Sequence, residues 1–378
     1  MIKTKQGKPK RKLGFAPFFL GAALVGVLGV PVWVLQYLGV EGPWAAFDWP
    51  YWHGHEMIFG YGFAVMGGYL LTKVPPRLVG FLFCLWLLGR VTLFLPGVPI
   101  MGALLALTFP IGMFIFAGLP FFKAAKRWRS AIPGGVLAAF VVAEVLFQAG
   151  RLELLDDGQA SGLLLGIDLL AALLYLMGGR VIAAATSGAH QARGGYLPGV
   201  AQQKIEFAGL LALAVMVLSD LLGFLPLLSG VAAMAAAVTI LVRLWRWQVW
   251  KVVDALDVSA LHIGYVFLAA GLAAKGAAQL GWEVGVFEAS HGATVGALGV
   301  LSIAIMGRSA IQRTGRPRDL PMVLRFAIAL MIGAALARLG AIYPDFRIGL
   351  LYAAAVLWTA SLVVFAGVVT RFALVPTK

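Results

Sequence analysis

Five histidines, His53, His55, His190, His262 and His291, are the side chains best suited to hold a metal in this chain. Neutral imidazole ligates iron and copper, and its charge is easily tuned by burial. Two of the five share the stretch DWPYWHGHEMIFGYG at 48–62, where Glu56 follows directly. At ~100° per residue on a regular helix, His53 and His55 point about 200° apart, so they serve opposite faces and do not chelate one ion together. His53 and Glu56 are about 60° apart, which predicts that Glu56 orients the His53 imidazole or binds an ion with it. A plainer reading makes the pair an interfacial helix start beside Trp49 and Trp52 in an aromatic belt. It leaves Glu56, one turn deeper in an apolar segment where ionisable groups are costly, without a reason to be there.

The elements that carry these residues are hydrophobic. Apolar residues make up 61% of the 378 and charged residues 12%, which excludes an ordinary soluble domain. A bilayer core needs roughly 20 apolar residues per spanning helix. Such runs fall near 14–38, 52–72, 78–96, 98–121, 131–150, 161–184, 204–223, 227–247, 258–280, 285–307, 320–340 and 346–371. The fold class is therefore an all-α polytopic membrane helix bundle with about twelve transmembrane helices. A single helical domain at 14–371 is expected between a basic tail at 1–13 and a short tail at 372–378. The longest connection, about 185–204, is too short for a soluble module, so any chemistry sits among the helices.

The net charge of +14 is distributed as a topology signal. Basic residues crowd the N-terminus, Lys73 and Arg77, KAAKRWRS, Arg193 and Lys204, Arg243 to Lys251, Arg308 to Arg318, and Arg371, whereas the intervening loops carry Glu41, Asp48, Glu153, Asp156, Asp157, Glu283 and Asp345, with Arg151 and Arg347 as the few basic exceptions. That alternation follows the positive-inside rule and predicts both termini in the cytoplasm, with lipid rather than nucleic acid as the partner. The first span, long and interrupted by Pro31, reads as a retained anchor rather than a cleaved signal.

The predicted orientation sorts the histidines by depth. His53, His55 and His291 lie near the outer surface, and His262 lies near the inner one with Arg180, Glu206 and Asp257, so His262 belongs to a different site. His190 is expected in the inner loop, solvated. The single cysteine, Cys84, is expected to be a small packing residue. It forms no internal disulfide and belongs to no heme-attachment motif, so any iron or copper rests chiefly on histidines. Gly292, Gly296 and Gly299 form a small stripe beside His291, suited to close helix packing or to a flat ligand. Arg90, Glu144, Asp168, Lys275 and Arg338 are further charges inside spans, read either as ion pairs or as parts of an ion path.

Together, WHGHEMIFGY at 52–61, GFAPFF at 14–19, GYLLT at 68–72, GGRVI at 178–182, LHIGY at 261–265, HGATVGALG at 291–299 and MGRSAIQRTGR at 306–316 resemble the NnrS family over nearly the whole chain. The resemblance implies a multi-pass protein of the bacterial inner membrane that contains heme and copper and takes part in the response to nitric oxide and nitrosative stress. It implies metal ligation at His53, His55, His262 and His291, with Glu56 and Arg180 as supporting residues. Two departures stand out: AAATSGAH replaces the family's usual continuation after GGRVI, and Gly rather than Ala follows His291.

Four intramembrane histidines do not fill the six places used by heme-copper oxidases. The preferred arrangement is one heme b near the outer side, held between the second and tenth spans by His291 and one of His53 or His55. The competing readings are a secondary transporter without metal, which shows paired halves more often than this chain does, and a heme-based nitric oxide sensor without turnover.

Overall fold

The computed structural model describes residues 14–42, 51–92, 97–126, 128–223, 225–316 and 319–375. The basic tail 1–13, the loop residues 43–50 with Asp48 and Trp49, and the last residues 376–378 lie outside this set. Among the described residues there is helix and no strand, and twelve helical rods follow one another. They are α1 (Ala16–Tyr37), α2 (51–73), α3 (Pro76–Thr92), α4 (Pro99–Lys123), α5 (Trp128–Arg151), α6 (Gly158–Ala192), α7 (Gln203–Leu222), α8 (Pro226–Lys251), α9 (Leu256–Gln279), α10 (Val286–Arg313), α11 (Met322–Gly340) and α12 (Pro344–Leu374). Ten are long and apolar enough to cross a membrane; α2 and α3 occupy the second and third expected positions. The chain is thus an all-helical, multi-pass membrane protein.

Local chemistry sets the ends. Proline, whose missing N–H costs nothing in a first turn, opens α1, α4 and α8. α7 stops where Gly223 turns to φ +74°, a left-handed cap that suits glycine. α6 overruns its expected end: AAATSGAHQA contains no proline and tolerates Gly188, so the helix continues to Ala192 and the turn comes at Gly194 with φ +70°. His190, expected in solvent, is therefore carried on that helix and buried. Cys84, expected to pack inside, is exposed on α3.

Neighbouring rods pair along the chain, and α1 returns to pack on α12, closing the bundle. In the most apolar window of α10, 78% of residues are buried, against 22% for α7, so α10 is interior and α7 is rim. Leu24, Phe81, Leu211, Leu218, Val231 and Val238 point outward, the apolar girdle that a lipid phase requires. With lipid outside, apolar burial gains little, and helices are held by close packing and interhelical hydrogen bonds. Trp86 Nε1 donates to the Gly60 carbonyl at 3.2 Å and Trp358 Nε1 to the Gly26 carbonyl at 3.1 Å.

The glycine stripe of α10 serves this packing and not the space for a ligand. Gly292 meets Gly271 backbone to backbone, Gly296 receives Phe267, and Gly299 receives Met331 and Trp358. A Cβ at Gly271 would overlap the Ala293 nitrogen and lie 2.7 Å from the Gly292 carbonyl carbon, atoms that no rotamer change moves. Gly271→Leu is expected to lower the stability of the detergent-solubilised protein by about 1–3 kcal/mol or more. Gly349→Ala, with open space around it, leaves the thermal midpoint unchanged; a Gly271→Leu protein as stable as this control would contradict the α9–α10 contact.

Candidate metal centre and a buried ion network

The two histidines of α2 part company as the helical wheel requires. His53 turns toward α1, stacking on Trp33 with ring centroids 5.0 Å apart. His55 turns toward α5, stacking on Phe147 at 4.3 Å. Directly after His55 the helix widens into a π-helical stretch, Glu56–Gly62, and directly after His291 into another, Gly292–Gly299. Such widened turns are rare and gather at functional sites.

His53 and His291 line one cavity of about 320 Å³, within the range of small-molecule sites. Its walls come from α1, α2, α6, α10, α11 and α12 and are mostly apolar and aromatic, with Trp33, Tyr61 and Trp358 among them. Two guanidinium groups, Arg338 and Arg347, share the lining, as does Glu288. His291 Nδ1 donates to the Glu288 carbonyl at 3.0 Å, which leaves Nε2 as the free acceptor, the tautomer suited to a metal. His53 has the Gly29 carbonyl beside its ring, and its buried Nδ1 has no partner in hydrogen-bonding geometry. Arg338 is 9% exposed, reaches over Trp33 with its guanidinium carbon 5.9 Å from the ring centre, and has a buried Nε without a partner. The cavity therefore presents two imidazoles, two guanidinium groups and one carboxylate to a largely apolar space.

His55 is differently employed. Its Nδ1 lies 3.1 Å from Glu56 Oε1 and its Nε2 3.0 Å from Glu144 Oε2. With both carboxylates ionised, both ring nitrogens donate and the ring is imidazolium. Arg90 Nη1 donates to the same Glu56 oxygen at 2.8 Å, Gln148 Nε2 donates to Glu144 Oε1 at 2.8 Å, and Arg151 Nη1 donates to Gln148 Oε1 at 3.1 Å. Glu56 thus serves His55 and Arg90, not His53 as the wheel alone suggests, because the Arg90 guanidinium from α3 draws it away. His55, Glu56, Arg90 and Glu144 bring two positive and two negative charges, so the group balances without metal.

His262 stands apart on α9. Its Nδ1 donates to the Val258 carbonyl at 2.9 Å and its Nε2 lies 3.3 Å from Thr186 Oγ1. It packs against Trp247 and lines neither large cavity. Arg180 is exposed and donates to the Arg129 carbonyl at 3.3 Å; the guanidinium near Glu206 is Arg243, at 3.8 Å. Among the described residues no three His, Cys, Asp or Glu side chains gather as a metal-ligand group. Sequence reasoning did not assign Arg338 and Arg347 to the site. An arginine near the end of an apolar span was the available signal, but the cavity forms only when α11 and α12 meet α2 and α10.

Removing one partner of a buried ion pair leaves an uncompensated charge, at a cost of about 3–5 kcal/mol. Arg90→Leu is expected to lower stability by that order, and the double variant Arg90→Leu with Glu56→Leu by less than the single. Thermal unfolding in detergent reads both; a single variant as stable as the parent would remove the network from the account.

No curated protein matches the chain. The family model described as NnrS protein matches residues 9–376, nearly the full length, and on that ground the chain belongs to the NnrS family.

Proposed function

We propose that this chain is a twelve-span protein of the bacterial inner membrane, with both termini in the cytoplasm, that holds heme b between His53 and His291 and binds nitric oxide there as part of the response to nitrosative stress. The observation that carries the reading is the convergence of two imidazoles from distant helices on one apolar cavity that also contains Arg338 and Arg347. The basic loops support the orientation, and the NnrS match supports the nitric oxide link.

Heme, when bound, supplies an iron that coordinates nitric oxide. The chain's own residues do the rest. His53 and His291 are the residues that would hold the iron, one retained and the other yielding its place to nitric oxide, with His291 kept in the ligating tautomer by the Glu288 carbonyl. Arg338 and Arg347 would offset the carboxylates of a heme. The aromatic and aliphatic walls exclude water and admit an apolar gas from the lipid.

Copper finds no comparable donor set. Both nitrogens of His55 are taken by carboxylates, His262 stands alone, and no three-ligand group occurs among the described residues.

The test is an optical spectrum with iron analysis on protein purified with ample heme supply, before and after adding nitric oxide. The wild type is expected to show a heme band that shifts with nitric oxide. His53→Ala and His291→Ala are expected to lose the band or change its ligation signature, while His262→Ala keeps it. His55→Ala loses stability but keeps the band per folded protein. A colourless, iron-free wild type would sink the heme reading and favour a transporter.

A further inference from the structure

A second cluster of ionisable side chains lies on the far face of α6 from the cavity. Asp168 of α6, Asp220 of α7 and Lys275 of α9 meet inside the bundle. Lys275 Nζ donates to Asp168 Oδ1 and, at 2.6 Å, to Asp220 Oδ2; Gln279 Nε2 donates to Asp220 Oδ1 at 3.1 Å. Asp168 is 1% exposed and Lys275 2%.

Two features do not fit a simple ion pair. Asp168 Oδ2 is buried and has no donor at all. The two carboxyl groups also crowd one ammonium, Asp168 Oδ1 and Asp220 Oδ2 both accepting from Lys275 Nζ, so two like charges stand side by side unless one carries a proton. Two carboxylates against one ammonium leave one uncompensated negative charge in a medium that solvates charge poorly. The surrounding helices do not supply the missing cation among the described residues. Glu144 of α5 faces His55, and Glu288 of α10 faces the cavity. Of the α8 cations, Arg243 is engaged by Tyr265 and Glu206, and Arg246 and Lys251 sit with it at the helix end.

We propose that Asp168 and Asp220 form a proton-binding site, in which the two carboxyl groups share one proton and Lys275 pairs with the charge that remains. The like-charged oxygens then become a donor and an acceptor, the orphaned oxygen of Asp168 gains a role, and the cluster is neutral. α6 carries both sites: Leu163, Ile167 and Leu170 line the cavity wall, and Asp168, one residue after Ile167, projects from the far side of the helix. The chain thus has a place to bind a proton one helix away from its small-molecule cavity, and the site rests on no cofactor.

Infrared spectra of the full-length protein in lipid vesicles, in water and in deuterium oxide at neutral pH, test this. The wild type is expected to show a carboxylic-acid carbonyl band that shifts on deuteration. Asp168→Asn and Asp220→Asn are each expected to abolish it, because one carboxylate with Lys275 needs no proton; Glu288→Gln leaves it in place. In Lys275→Met the charge balance calls for a second proton, and the band is expected to double. This variant keeps the test decisive if either aspartate variant fails to accumulate. A wild type without the band, or a band that survives in both aspartate variants, overturns the proposal. So does a band removed by sodium ions at fixed pH, which would make the ligand an alkali cation.

Discussion

The constraint on which the interior depends is that no charge is left unpaired inside an apolar bundle. The cost of an isolated ion there exceeds that of most packing defects, so each buried ionisable group recruits a partner from another helix. Glu56 takes Arg90 of α3, His55 takes Glu144 of α5, Lys275 of α9 takes Asp168 and Asp220 of α6 and α7, and Arg243 of α8 takes Tyr265 of α9. These pairings link helices that lipid-facing Leu and Val cannot order, since apolar side chains find lipid as agreeable as one another. They act as registry marks for the bundle.

Against that background the cavity is the exception. His53 and His291 line it together, and Glu288 is the one carboxylate in its described lining, beside Arg338 and Arg347. A bundle that pairs its other charges so closely leaves two imidazoles and two guanidinium groups facing an apolar space. The neighbouring glycines do not make that space. They bring α9 and α10 into backbone contact, and through that contact they hold the helix turn from which His291 projects. Of the four π-helical stretches among the described residues, two directly follow His55 and His291.

Much of this was legible in the sequence because the lipid phase imposes simple periodicities. Hydrophobic length located the helices, most of their ends to within a few residues, and helical angle alone separated His53 from His55. Depth along the spans grouped both His53 and His55 with His291 and set His262 apart. The errors share one cause. Glu56 was expected beside His53 because a helical wheel sees only its own helix, while Arg90 lies on the next one. His190 was expected in solvent because small residues resemble a loop when no proline marks the end of a helix. Cys84 was expected inside because in a membrane an apolar residue faces lipid as readily as core.

The sequence by itself determined the all-helical fold class, the approximate place of each helix, the alternation of basic and acidic loops and the histidines set within the spans, because each of these is a local property of composition or spacing. Only the tertiary structure decided which of those residues meet. His55 joined a carboxylate network, His53 joined His291 at a cavity, and Arg338 and Arg347 entered its wall. Helices that contribute to one site are separated by hundreds of residues, and their rotation about their own axes is set by the charges and glycines of their neighbours, which no local pattern records.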